Sequence, residues 1–271
     1  KEKIERIGKP LKEWDVKIYR GVLTGLNEAF IISTEKRNEI LSNCKDDEER
    51  KRTEAIIKPI LRGRDIKRYF YDWAGLWVIG TFPALKLNID DYPSIKRFFL
   101  DNFDIRQLEQ SGKKYPELGF DARKKTGNKW FETQDQIAYY SEFEKEKVVW
   151  NRITDTINFS YIQKNYFVLD STFFITGSKL KYIICILNSK TSQKWIKMSA
   201  ATLGEGSYGA KIYIENLPIP PITTSNQPIV EQIEALVDKI LASKRTNPQS
   251  DTRHWEREID RLVYRLYDLT E

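Results

Sequence analysis

Cysteine and histidine are nearly absent from this sequence: Cys44, Cys185 and the single His254 are all that 271 residues contain. Two distant thiols exclude a disulfide scaffold, and with one imidazole they exclude a Cys/His zinc site. Long apolar runs are missing too. The longest, residues 182–187, is far short of the roughly 20 residues a membrane-spanning helix needs. The opening Lys-Glu-Lys-Ile-Glu-Arg has no apolar signal region. No internal repeat or low-complexity tract is present.

What the sequence does hold is apolar and aromatic weight, 40% hydrophobic and 13% aromatic, which is the composition of a globular protein able to bury a sizeable core. A net charge of +6 and a pI near 9.0 lean toward an acidic partner such as nucleic acid. The chain is organised around residues 56–70. There the apolar run Ile56, Ile57, Ile60, Leu61 leads to Gly63, and Pro59 bars a regular helix. Arg62, Arg64, Lys67 and Arg68 surround that glycine against one acid, Asp65, and Tyr69, Phe70, Tyr71 and Trp73 follow. Glycine permits close backbone approach, and arginine forks match phosphate oxygens and guanine edges.

The run Ile57-Lys58-Pro59 with Leu61-Arg62-Gly63-Arg64-Asp65-Ile66-Lys67-Arg68-Tyr69 resembles the signature of the TaqI-like C-terminal specificity domain. That is the target-recognition domain of adenine-N6 DNA methyltransferases and fused type II restriction-modification enzymes. Three more patches agree in the family's order. They are Gly21-Val22-Leu23-Thr24-Gly25-Leu26-Asn27-Glu28-Ala29-Phe30, then Lys147-Val148-Val149-Trp150, then Leu187-Asn188-Ser189-Lys190 with Leu217-Pro218-Ile219-Pro220. Together they span about residues 18–221 in pieces, and residues 105–146 match no family pattern. The resemblance implies an α+β, mixed-sheet DNA target-recognition domain that grips duplex DNA and presents an adenine to a methyltransferase domain upstream in the same polypeptide. It implies no cofactor in this chain, S-adenosylmethionine for the parent protein, no membrane and a cytoplasmic location. The start at Lys1 without an initiator methionine fits an excised C-terminal half.

Three stretches are expected: a connector over 1–14, the target-recognition domain over 15–222 and a C-terminal helical hairpin over 223–271. The alternation from Val16 to Val22 predicts a strand, and residues 30–32 a second one, in a hairpin-like unit with Asn27 in its loop. Helices are predicted over 34–43, from the charged run 45–52, and over 94–108. Strands are predicted at 76–80, 148–150, around Tyr161, at 167–169, 173–175 and 211–214. Leu180, Ile183, Ile184 and Leu187 fall at helical spacing, as do Ile229, Ile233, Leu236, Ile240 and Trp255, Ile259, Leu262, Leu266, Leu269. The last two sets form an αα-hairpin whose apolar seam has three possible partners: the main domain, a second copy, or another domain.

Motifs for catalysis do not hold together. Gly204-Glu205-Gly206-Ser207-Tyr208-Gly209 spells GxGxxG, but an anion loop needs a strand before it and a helix after it, and here the expected order is reversed. Acid-x-Lys triplets at Asp15, Glu49 and Asp65 are chance occurrences in a chain with 31% charged residues. An adenine methyltransferase needs an Asn-Pro-Pro-aromatic loop, and Asn216-Leu217-Pro218-Ile219-Pro220 is not that motif. What remains is binding chemistry. The candidate DNA contacts are Thr24, Asn27, Arg62, Arg64, Lys67, Arg68, Arg123, Lys124, Lys125, Trp130, Asn151, Arg152, Tyr208 and Lys211. The turn 62–68 is expected to grip phosphate and the glycine-hinged loop 110–130 to enter a groove. The alternative is a protein-interaction or scaffold domain that docks through the C-terminal hairpin.

Overall fold

The structure, a computed structural model, describes residues 1–200 and 208–269, so Gly204 to Ser207 of the glycine string lie outside the described residues. The strands that matter are β1 (Val16–Arg20), β2 (Ile31–Ser33), β3 (Ile57–Leu61), β4 (Leu76–Ile79), β5 (Lys147–Asn151), β6 (Ser160–Ile162), β7 (Phe167–Val168) and β8 (Thr172–Gly177). They form two four-stranded sheets. One has the order β7-β3-β4-β2, mixed because β7 runs parallel to β3; the other, β1-β8-β5-β6, is antiparallel throughout.

Alternating side chains explain the layering, because successive residues of a strand face opposite sides. In β5, Val148 and Trp150 enter one apolar cluster while Val149 enters another; in β8, Ile175 and Phe174 divide in the same way. The cluster of Val149 and Phe174 also contains Ile60, Leu61 and Val78, so it lies between the sheets. The outer face of the first sheet carries Ile32, Ile57 and Ile79 against α2 (Thr34–Ser42) and α4 (Pro93–Asn102), through Ile40, Ile95 and Phe99. The outer face of the second sheet is covered by α5 (Leu180–Asn188), α7 (Gln227–Thr246) and α8 (Arg253–Leu266). The fold is α+β, helices on two back-to-back sheets.

The C-terminal hairpin buries its seam at home. Val230, Ile233, Val237 and Ile240 of α7 and Ile259, Leu262, Val263 and Leu266 of α8 share one cluster with Ile183, Ile184 and Leu187 of α5. Ile4 and Leu11 join the same cluster, and Lys9–Pro10 pairs antiparallel with Pro218–Ile219. Side chains from all three expected stretches thus meet in one core.

Several local expectations change. Residues 16–32 do not form a hairpin, since β1 pairs with β8 and β2 with β4; Asn27 opens a one-turn helix, Asn27–Phe30. The helix expected over 94–108 stops at Asn102, where Phe103 is extended, and Asp104 caps a second turn at Ile105–Leu108. Lys211–Glu215 is helical rather than a strand, with Ile214 its one buried residue.

Lys147, the first residue of the family-like run 147–150, is fully buried in β5, where its Nζ donates to the Tyr166 carbonyl (3.0 Å). Burial pushes its pKa down to about 7. The unfolded value is near 10.4, so between the two the unfolded chain holds the extra proton and stability rises with pH. That contribution is lost as pH falls toward 7. Lys147→Met is expected to remove a slope of up to about 1.4 kcal/mol per pH unit. Urea unfolding of parent and variant at pH 7 and pH 9 checks this, and an equal gap at both would contradict it.

Candidate nucleic-acid interface

Four chain segments end at one edge where the two sheets meet. Arg20 closes β1, Leu61 closes β3 and leads into the 3-10 turn Gly63–Asp65, Asn151 closes β5, and Asp170-Ser171 turns from β7 into β8. The glycine of the signature serves this convergence. A Cβ on Gly63 would lie 2.8 Å from Asn151 Oδ1 and 3.2 Å from Ser171 Oγ, and the Asn151 Nδ2 donates to the Gly63 carbonyl at 3.1 Å. The large object that Gly63 admits is the protein's own strand end.

The cations of the signature divide by what holds them. Arg62 commits Nε and Nη2 to the buried Asp65 carboxylate (3.1 and 2.8 Å), and its backbone N–H donates there as well (2.8 Å). Arg62 therefore builds the turn, contrary to the phosphate grip expected of it. Arg68 turns to α8, where its Nε meets Glu256 at 2.5 Å, and its guanidinium lies over Tyr69. Arg64 and Lys67 are exposed; Lys67 Nζ donates to the Arg64 carbonyl (2.7 Å), and the Arg64 side chain has no partner among the described residues.

The loop 110–130 divides more sharply. Arg123 is 4% exposed, and its five N–H groups go to carbonyls: Leu108 twice, Thr24, Glu132 and Trp130, at 2.7–2.9 Å. Its guanidinium also lies over Phe30, and burial pushes its pKa down to about 10. No donor is left for a base, so the groove-entry role expected of Arg123 is corrected. Thr24 is buried too, its hydroxyl donating to Asn27 Oδ1 (2.7 Å) and accepting from the Leu26 N–H, and it cannot touch DNA. Trp130 is half-buried and packs edge-on to Phe99 and Phe131. Lys124, Lys125 and Asn27 are exposed.

These exposed groups continue the edge. Burial pushes the Asp135 carboxyl up, Arg20 and Lys124 act to lower it, and Asp170 acts to raise it, so all three lie within electrostatic reach of Asp135. On the other side, a Cβ on Gly209 would come within 1.9 Å of the Asn151 carbonyl, which sets Tyr208 and Gly209 beside the end of β5. Tyr208 is half-buried against the core, and Lys211 pairs with Glu215 at 3.8 Å. Arg152 donates to the Asp170 carbonyl at 2.7 Å. Arg20 and Asp170 were not singled out in the sequence, where one charge ending an amphipathic strand and one acid in a turn carry no distinctive signal.

No group of three or more His, Cys, Asp or Glu is placed to hold a metal among the described residues, and no described helix is long and apolar enough to cross a membrane. A family model described as the TaqI-like C-terminal specificity domain matches residues 58–219, more than half of the chain. The fold is similar to that in the structure of the Type IIL restriction-modification enzyme MmeI in complex with DNA. The TM-score is 0.58 and identity 12%, over 97% of this chain and 34% of that one. For the type IIG restriction endonuclease BpuSI the TM-score is 0.49 and identity 15%, over 97% and 32%. The chain thus spans about a third of the length of these solved chains. No curated protein sequence matches it.

Proposed function

The chain belongs to the family of TaqI-like C-terminal specificity domains, and from that premise we propose that it recognises a short sequence in duplex DNA. In this reading it positions an adenine for a methyltransferase domain in the same polypeptide, and S-adenosylmethionine belongs to that domain. The observation that carries the reading is the edge itself. Exposed, unpaired cations (Arg64, Lys124, Lys125) flank an inner row of hydrogen-bonding groups (Arg20, Asn151, Arg152) fixed at strand ends. Outer cations suit phosphates, and fixed amides and guanidinia suit base edges. Docking through the C-terminal hairpin has lost its surface, because the apolar seam is buried against α5.

Neutralising phosphates releases counterions, so binding of a random duplex by this chain is expected to fall steeply between about 50 and 200 mM salt. Arg64→Ala and Lys124→Ala are each expected to weaken binding on all sequences and to lower the log–log salt slope by about one. Fluorescence anisotropy over a salt series measures both. Absent binding at low salt, or affinity independent of salt, would sink the proposal.

A further inference from the structure

Building on that DNA-recognition reading, we infer that Arg20, Asp170 and Arg152 form a guanine-reading device, so that the recognised sequence contains guanine. The Asp170 carboxylate accepts from Arg20 Nη2 at 2.9 Å and lies 3.7 Å from Arg152 Nη1, which also donates to the Asp170 carbonyl at 2.7 Å. The two arginines come from different strand ends, β1 and β5, and the acid from the turn before β8. Phe173 ties the three together. It stands opposite Arg20 across β8 and β1, opposite Trp150 across β8 and β5, and beneath the Arg152 guanidinium at 5.4 Å.

A guanidinium fixed along one edge presents its remaining nitrogens in a set direction, which is what bidentate contact with guanine O6 and N7 requires. Arg20 Nε is buried, so the edge this fork presents is Nη1 with the second hydrogen of Nη2; Nη1 of Arg20 and the Nε and Nη2 of Arg152 have no partner among the described residues. Arg62 is the contrast, since its Nε and Nη2 are both taken by Asp65.

Charge separates base reading from phosphate grip. Asp170 meets both Arg20 and Arg152, and Asp135 lies within electrostatic reach of Arg20 and of Lys124, so the charge of the two arginines is largely offset where they stand. A cluster offset in this way adds little to counterion release, yet it keeps every directional donor. Arg64 and Lys124 supply the opposite: net charge without a fixed direction.

The test is selection from randomised duplexes with this chain and its Arg20→Ala, Arg20→Lys and Asp170→Asn variants, followed by replacing each selected guanine with 7-deazaguanine, which lacks the N7 acceptor. Thermal unfolding identifies any variant that fails to fold, and Arg20→Lys, which keeps the charge, carries the test if the alanine variant does not fold. The parent consensus is expected to contain a guanine at which 7-deazaguanine weakens binding by about 5- to 100-fold. Arg20→Lys should lose that sensitivity and tolerate other bases there, with the salt slope unchanged. A parent consensus indifferent to 7-deazaguanine, a lysine variant that keeps the preference, or an alanine variant with a salt slope lower by about one would overturn the inference while leaving DNA recognition standing. A parent that binds no duplex at low salt would remove the recognition reading and this inference with it.

Discussion

Arg123→Ala is expected to lower the melting temperature by about 10–15 °C, the equivalent of about 4–5 kcal/mol for a chain of this size. The buried guanidinium satisfies five hydrogen bonds to the carbonyls of Leu108, Thr24, Glu132 and Trp130; alanine leaves the Leu108 and Trp130 carbonyls without donors, and those of Thr24 and Glu132 with only the Gln134 N–H and the Gln110 amide. Lysine is expected to recover less than half of the loss, because three donors on a point charge cannot span four carbonyls that surround a planar fork. Circular dichroism through the transition measures both variants. A melting point within about 3 °C of the parent for Arg123→Ala would mean that these contacts contribute less than about 1–2 kcal/mol.

Gly209→Ala is expected to reduce DNA affinity by at least about tenfold, or about 1.4 kcal/mol. The added Cβ would sit 1.9 Å from the Asn151 carbonyl oxygen and 2.8 Å from that of Arg152. Both are backbone atoms at the end of β5, so no rotamer change relieves the clash and one chain must move away. Trp150 Nε1 donates to the Gly209 carbonyl at 2.9 Å, and that bond reports the movement. In spectra of protein labelled at tryptophan, the Trp150 indole N–H should shift and exchange faster. Gly127→Ala is the control: its Cβ meets nothing within 4 Å, and affinity and indole signal should match the parent. An unchanged Trp150 signal in the Gly209 variant, with parental affinity, would contradict the expectation.

The parts of the fold legible in the sequence are those where one strand's two faces enter two different cores. Val148-Val149-Trp150 reads as a strand because both of its faces are buried, and Leu180 to Leu187 reads as a helix from the spacing of Leu180, Ile183, Ile184 and Leu187, although every residue of that helix except Lys181 is buried. The signature turn was legible as a place and less so as a set of roles. Arg62 and Arg64 look alike in a string, and only the fold shows Asp65 taking one and leaving the other free. Arg123 is the sharper case. It precedes Lys124 and Lys125 in an ordinary basic run, and the carbonyls that bury it arrive from Thr24, Leu108 and Glu132 through tertiary packing. The mistaken hairpin at 16–32 has the same origin, since the partner of β1 lies beyond residue 170 and leaves no local trace.

That distant pairing sets a timetable for synthesis. β1 aligns with β8 from Val16↔Gly177 to Arg20↔Phe173, and Lys9 aligns with Ile219. At about 5–20 residues per second, the first strand leaves the ribosome on the order of ten seconds before its partner exists. During that interval its alternating apolar side chains are solvent-exposed on a nascent chain that cannot close either ladder, which makes it a ready substrate for a holding chaperone. Slow codons placed between residues 20 and 172 would lengthen the exposure, and those placed after residue 219 would not. Expression yield should therefore respond to where in the gene translation pauses.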